Sequence, residues 1–175
     1  ACGGVRTGEV VRYDFGTAAG GATSKFPVAT VDVQAASWLA GADMHFRLAY
    51  AEPQQRRSYG ESRWAAPPAE LLESALRHRL VFGQAEAGGG CRLQLALGEL
   101  EQRFDEPQAS SIVLDVRAQL ISTRGGEALS RRAFQIRRPA AADARGGAAA
   151  AREAVQALGD EMAAWLGDLS RDKPV

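Results

Sequence analysis

The segment Ser111 to Thr123, SIVLDVRAQLIST, constrains the fold more tightly than any other stretch of the chain. Ile112, Leu114, Val116, Ala118 and Leu120 alternate with Asp115, Arg117 and Gln119, and a period of two puts the apolar set on one face of an extended strand. Such a strand wants neighbours on both edges and a cover on one face only. It is expected to be a central strand of a sheet with one wet face. Arg124-Gly125-Gly126-Glu127 reads as a hairpin turn, and Ala128 to Arg138 returns with Phe134 and Ile136 on one face until Pro139 stops it. Upstream, Leu93, Leu95 and Leu97 share a face, whereas Leu100 and Phe104 have the opposite parity. The phase change at Gly98-Glu99 predicts a β-bulge or a sharp bend.

Two amphipathic helices supply the cover. Pro67-Pro68 can open a helix because a proline in the first turn forfeits no hydrogen bond and presets φ. Leu72, Leu76 and Leu80 then recur every four residues beside Leu71 and Ala75, giving a wide apolar stripe to lay on a sheet. From about Gly147 to Leu169, Ala151, Val155, Leu158, Met162, Trp165 and Leu169 step by four and three, with Asp143 placed to start the helix. Nearer the amino terminus, Val10 to Phe15 and Thr30 to Ser37 read as strands, the second losing its alternation near Trp38. Met44 to Ala51 and Ser58 to Trp64 read as a hairpin. The sum is one α/β domain over residues 10–169, a mixed, largely antiparallel sheet with two main helices packed on it. Residues 1–9 read as a flexible tether, Gly83 and Gly88-Gly89-Gly90 as part of a mobile loop, and 170–175 as a frayed polar tail.

A chain of 175 residues suits one domain. Lys plus Arg and Asp plus Glu are both 21, so no net field draws it to nucleic acid or to a bare anionic membrane. No apolar run approaches the roughly 20 residues a spanning helix needs. Cys2 and Cys91 are too far apart for a zinc knuckle or a redox pair. Cys91, at the start of a strand, fits a small buried hydrophobe. Three readings of Cys2 stand side by side: a free thiol, half of a disulfide with Cys91, or the lipid-bearing cysteine of a bacterial lipoprotein, since Ala1-Cys2-Gly3-Gly4 looks like the end of a lipobox.

A nucleophilic mechanism has only His45 and His78 to draw on as imidazole bases, and neither lies in a signature for an activated serine or cysteine. Glu99 and Glu101 share a strand face, followed by Asp105 and Glu106. A carboxylate pair for hydrolysis is conceivable, against the plainer expectation of a solvated strand end. Gly88 to Gly90 precedes a strand, the wrong context for a phosphate cradle. The doublets Arg56-Arg57, Arg131-Arg132 and Arg137-Arg138 are expected to be exposed strand residues balanced by carboxylates. Trp38, Trp64 and Trp165 are expected in the core. No metal or cofactor is expected.

The order and wording of five stretches add to this reading: VRYDFG, VDVQAASWLAGADMHFRLAY, SYGESRWAAPPAELLESALRHRL, LALGELEQRFDEPQASSIVLDVRAQL and RRPAAADARGGAAAAREAVQALGDEMAAWL. Together they resemble the ABC-type transport auxiliary lipoproteins, partners of bacterial Mce-type and paraquat-inducible lipid-transport systems. Ser62-Arg63-Trp64 with Pro67-Pro68 is the most specific piece. The resemblance implies no catalytic set. It implies a lipidated Cys2, with Gly3 of the outer-membrane sorting type, and a domain at the periplasmic face of the outer membrane. Its implied partners are an Mce-domain protein and the ABC permease and ATPase, with self-association into a homo-oligomer compatible. The leading expectation is therefore a non-enzymatic subunit that docks on the Mce-domain component of an intermembrane lipid transporter. A carrier that holds the cargo itself, and a carboxylate-dependent hydrolase using Glu99 and Glu101, are the alternatives.

Overall fold

The computed structural model describes residues 8–17, 25–80 and 90–172. Along them run β1 (Val11–Tyr13), β2 (Val28–Ala35), one turn of 3₁₀ helix (Ser37–Leu39), β3 (Asp43–Leu48), β4 (Arg57–Trp64), α1 (Pro68–Leu80), β5 (Cys91–Glu106), β6 (Ala109–Ser122), β7 (Ala128–Ala140) and α2 (Ala144–Asp172). The strands make one seven-stranded sheet in the order β1-β4-β3-β5-β6-β7, with β2 also on β5. The long β5–β6 and β6–β7 ladders and the β3–β4 hairpin are antiparallel. The pairings of β1 on β4 and of β2 and β3 on β5 are parallel. This is the mixed, largely antiparallel α/β domain that the sequence predicts.

One structural device organises the sheet. Strands β2 and β3 lie end to end along the same edge of β5, Val28 to Ala35 against Cys91 to Leu97, then Phe46 to Leu48 against Gln102 to Phe104. Between them the chain steps out of the ladder, with Ala36 N–H donating to the Leu97 carbonyl (3.0 Å) before the 3₁₀ turn. That break faces the register shift between Leu97 and Glu99, the bulge required by the change of parity in β5. Before the shift Leu93, Leu95 and Leu97 are buried; after it Leu100, Gln102 and Phe104 are, Phe104 against Phe46. The extra residue turns Glu99 and Glu101 onto the opposite face together.

Both helices lie on one side of the sheet, α1 over β2 and α2 over β6 and β7, and they touch each other. Leu72, Leu76 and Leu80 of α1 are buried, as the four-residue spacing requires. Its amino-terminal N–H groups find the Pro67 carbonyl, reached by Glu70 (3.0 Å) and Leu71 (3.2 Å). Glu73 accepts from the Val33 N–H (3.1 Å) and so ties the helix to the backbone of β2. Asp143 caps α2, accepting from Gly146 N–H at 2.6 Å. Small residues, Gly147, Ala148 and Ala151, let the first half of α2 sit close to the sheet, and Leu158, Met162, Trp165 and Leu166 fill the wider gap beyond. Trp165 meets the Phe134 ring edge to face at 5.9 Å.

Several expectations need correction. Strand β7 does not stop at Pro139 but runs to Ala140, pairing Pro139 with Ser111. An edge strand has one side free of partners, and the missing N–H can point there without loss. Strand β3 ends at Leu48, so Tyr50 sits exposed in a turn instead of on the buried face. Trp38 is 54 % exposed rather than in the core, because it falls in the break between β2 and β3. Trp64 and Trp165 are buried. Helix α2 continues to Asp172, past the boundary at Leu169. The Gly83 to Gly89 part of the glycine loop lies outside the described residues, as do the tether residues 1–7.

Candidate functional site

The helices leave the other face of the sheet uncovered, and most polar residues of the alternating strands, though not Gln102, emerge there. The register divides this face into two parts of different character. Around the bulge the charges are matched. Arg56 holds Glu99 with two hydrogen bonds, 2.8 Å from Nη1 and 2.5 Å from Nη2, and stands 3.4 Å from Glu101. Arg47 Nε donates to both oxygens of Glu101 (2.9 and 3.2 Å), while its Nη1 reaches the Pro53 carbonyl at 2.9 Å. Glu101 is only 5 % exposed, so it is a buried carboxylate between two guanidiniums and not the solvated strand end expected from sequence. The hydrogen bond to Glu99 raises the Arg56 pKa; burial opposes this, and the charges of Glu99 and Glu101 add to it. The Arg56 guanidinium also stands 5.9 Å from the centroid of the exposed Trp38 ring.

Asp115 pairs with Glu99 across the β5–β6 ladder. Burial first, then the charges of Glu99 and Glu101, push its carboxyl above the usual range, with Arg117 partly offsetting them. A raised native pKa means that the folded state holds this proton more firmly than the unfolded chain. The stability it contributes is therefore present at low pH and lost as pH rises through the native value. Asp115→Asn is expected to raise Tm at pH 7, and the gain should shrink as pH falls below about 4. Paired thermal melts at the two pH values check this; an equal gain at both would assign the effect to something other than charge.

The second part of the face is a shallow hollow of about 490 Å³ across β2, β5, β6 and β7. Two cross-strand rows build it: Asp32, Gln94, Gln119 and Arg131, then Gln34, Ala96, Arg117 and Ala133. The methyl groups of Ala96 and Ala133 make the depression, and longer polar side chains rim it. Arg132 also borders it, but it shares the parity of Phe134, and its guanidinium stands 5.1 Å from that ring centroid on the helix side of the sheet. Among the described residues, Asp32, Gln34, Gln94, Arg117, Gln119 and Arg131 have no side-chain hydrogen bond or ion pair.

The other sequence candidates are dispersed. His45 Nε2 donates to the Trp38 carbonyl (3.0 Å) and its Nδ1 bonds with the Ser58 hydroxyl (3.3 Å), and His78 is exposed in the last turn of α1. Arg137 pairs with Asp105, as expected of the doublets, and Arg131 departs from that expectation. Cys91 is a buried thiol whose pKa burial raises. Cys2 lies outside the described residues. Sequence reasoning missed Arg47 and Arg56 as partners of Glu101, and it missed the hollow. Parity alone puts their polar residues on the wet face, but which of them stand side by side depends on register.

A family model described as the ABC-type transport auxiliary lipoprotein component matches residues 16–163. No curated protein sequence matches the chain. Among solved structures, a Xanthomonas campestris protein of the DUF330 family superposes with a TM-score of 0.72 at 17 % identity, covering 95 % of this chain and 97 % of its own. An uncharacterised protein gives a TM-score of 0.64 at 14 % identity, covering 91 % of this chain and 97 % of its own. At such identities these two likenesses concern the fold alone.

Proposed function

This chain belongs to the ABC-type transport auxiliary lipoprotein family, and from that premise we propose that it is a non-enzymatic, lipid-anchored subunit of an Mce-type intermembrane lipid transporter. In this reading Cys2 carries the acyl chains, the domain sits at the periplasmic face of the outer membrane, and its task is to dock on the Mce-domain component beside the ABC permease and ATPase. The observation that carries the proposal is the family match across residues 16–163. The chemistry of the open face supports it. Glu99 and Glu101, the one carboxylate pair with a case for hydrolysis, are both held by arginines, which suits a structural ion-pair network better than acid–base work. Anchoring through lipid is also consistent with helices of which none among the described residues is long and apolar enough to cross a membrane.

Expression in a host that carries the transporter, followed by detergent extraction and affinity capture, tests the proposal. The expected result is co-purification of an Mce-domain protein, with radiolabelled palmitate incorporated into the wild type and absent from Cys2→Ser. Labelled protein that captures no Mce, permease or ATPase subunit would overturn the docking role. Absence of label from the wild type would overturn the anchor.

A further inference from the structure

Two arginines of the open face, Arg117 and Arg131, occupy neighbouring positions on adjacent strands. Arg117 pairs in register with Ala133, and Arg131 with Gln119, so Arg117 and Arg131 are diagonal neighbours on adjacent strands. Diagonal positions are about 7–8 Å apart, and the other two corners of the square are Ala133, only a methyl group, and Gln119. Unlike Arg56 and Arg47 on the same face, neither makes an ion pair among the described residues, although the charge of Asp115, two residues before Arg117 on β6, is felt there. Arg132, of the opposite parity, stands over Phe134 on the helix side, so the side-chain charges of the hollow are Arg117, Arg131 and one acid, Asp32, two strands from Arg117, a net +1. Two like charges so placed repel each other, and an anion seated between them relieves that repulsion.

We propose that this hollow binds a phosphate ester, with the phosphate gripped between Arg117 and Arg131. The guanidinium fork matches phosphate oxygens two at a time, and a tetrahedral anion offers enough acceptors to engage both forks at once. Gln94 and Gln119 present amide groups in the same row, able to donate to ester oxygens or to hydroxyls of the esterified alcohol. The volume of about 490 Å³ falls in the range of small-ligand sites, enough for a polar head and not for a folded partner. The shallow, water-facing position suits a group presented from solution or from a membrane surface. This inference is independent of the docking role proposed above.

The test is an amide NMR titration of the whole protein at constant ionic strength, using inorganic phosphate, glycerol 3-phosphate, dihexanoyl phosphatidylglycerol and a tetraglutamate peptide in turn. Saturable shifts confined to Gln94, Ala96, Arg117, Gln119, Arg131 and Ala133 are expected with the phosphate compounds. Arg117→Gln with Arg131→Gln, both at exposed positions, should weaken binding about tenfold or more while leaving the remaining spectrum unchanged. Equal affinity for glycerol 3-phosphate and the short-chain lipid assigns a soluble ester as ligand; tighter binding of the lipid assigns its headgroup. Either supports the proposal. No saturable shift at millimolar phosphate ester, unchanged affinity in the double variant, or binding of the peptide alone would overturn it.

Discussion

Trp64→Ala is expected to lower the free energy of unfolding by about 3–5 kcal/mol, the usual cost of deleting a buried aromatic ring. Trp64 is 3 % exposed and closes β4 just before the Ala65-Ala66-Pro67-Pro68 run. Three elements converge on it. Its ring meets Phe15 edge to face at 5.3 Å, while in the backbone the Trp64 N–H donates to the Ala42 carbonyl (2.8 Å) and the Ala65 N–H to the Tyr13 carbonyl (2.7 Å). The side chain therefore clamps Phe15, just past β1, against the end of β4 and adds to the backbone bonds at the point where the chain leaves the sheet for α1. Urea unfolding measures the loss. Limited proteolysis provides the second readout, because losing the clamp should free β1, and cleavage near Val11 to Tyr13 should accelerate before the rest of the domain yields. A loss under 1 kcal/mol would mean that the ring is not the clamp described.

The second large effect lies under α2. A Cβ added at Gly147 would sit 2.3 Å from Gln102 Oε1. Gln102 cannot move aside cheaply. It is 1 % exposed, accepts from the Tyr59 hydroxyl at 2.8 Å, and donates to Ser110 Oγ (2.9 Å) and to the Ala141 carbonyl (2.8 Å). Through those bonds one side chain joins β4, β6 and the β7–α2 connection. The Tyr59 hydroxyl is correspondingly hard to ionise, its pKa pushed up to about 12 by burial and then by the charge of Asp143. Gly147→Ala should gain at most about 1 kcal/mol of helix propensity. Against this it should lose more through overpacking and stranded polar groups, for a net destabilisation of about 2–3 kcal/mol. Denaturant melts of Gly147→Ala, Gln102→Ala and the double variant check the mechanism. The double variant should be less destabilised than the sum, since truncating Gln102 makes room for the methyl group. Simple additivity would show that the two positions do not contend for one space.

Much of this fold is legible because period and parity act locally. The alternation in Ser111 to Thr123 marks β6 as central, and the parity slip at Gly98-Glu99 marks the bulge. The leucine steps and Pro67-Pro68 mark α1. Where the reading failed, a non-local fact intervened. Trp38 is hydrophobic enough for a core, but the bulge in β5 forces the opposite edge to break, and the residue in the break is left in water. A proline such as Pro139 stops a strand only where the ladder needs an N–H at that position, and whether β7 lies at an edge is a property of the whole sheet. Glu101 reads as a solvated strand end until Arg47 and Arg56, more than forty residues away, close over it.

The sequence by itself determined which residues face the helices and which face water, because side-chain direction follows from backbone period alone. It also carried the family's wording along nearly the whole chain. Only the tertiary structure decided which wet-face charges are neutralised and which are left open. That depends on strand order and register, which place Arg56 against Glu99 but leave Arg117 and Arg131 as diagonal neighbours without an ion pair. Coulomb energy falls with distance and not with sequence separation, so the same arginine is a structural tie in one register and an open anion site in another.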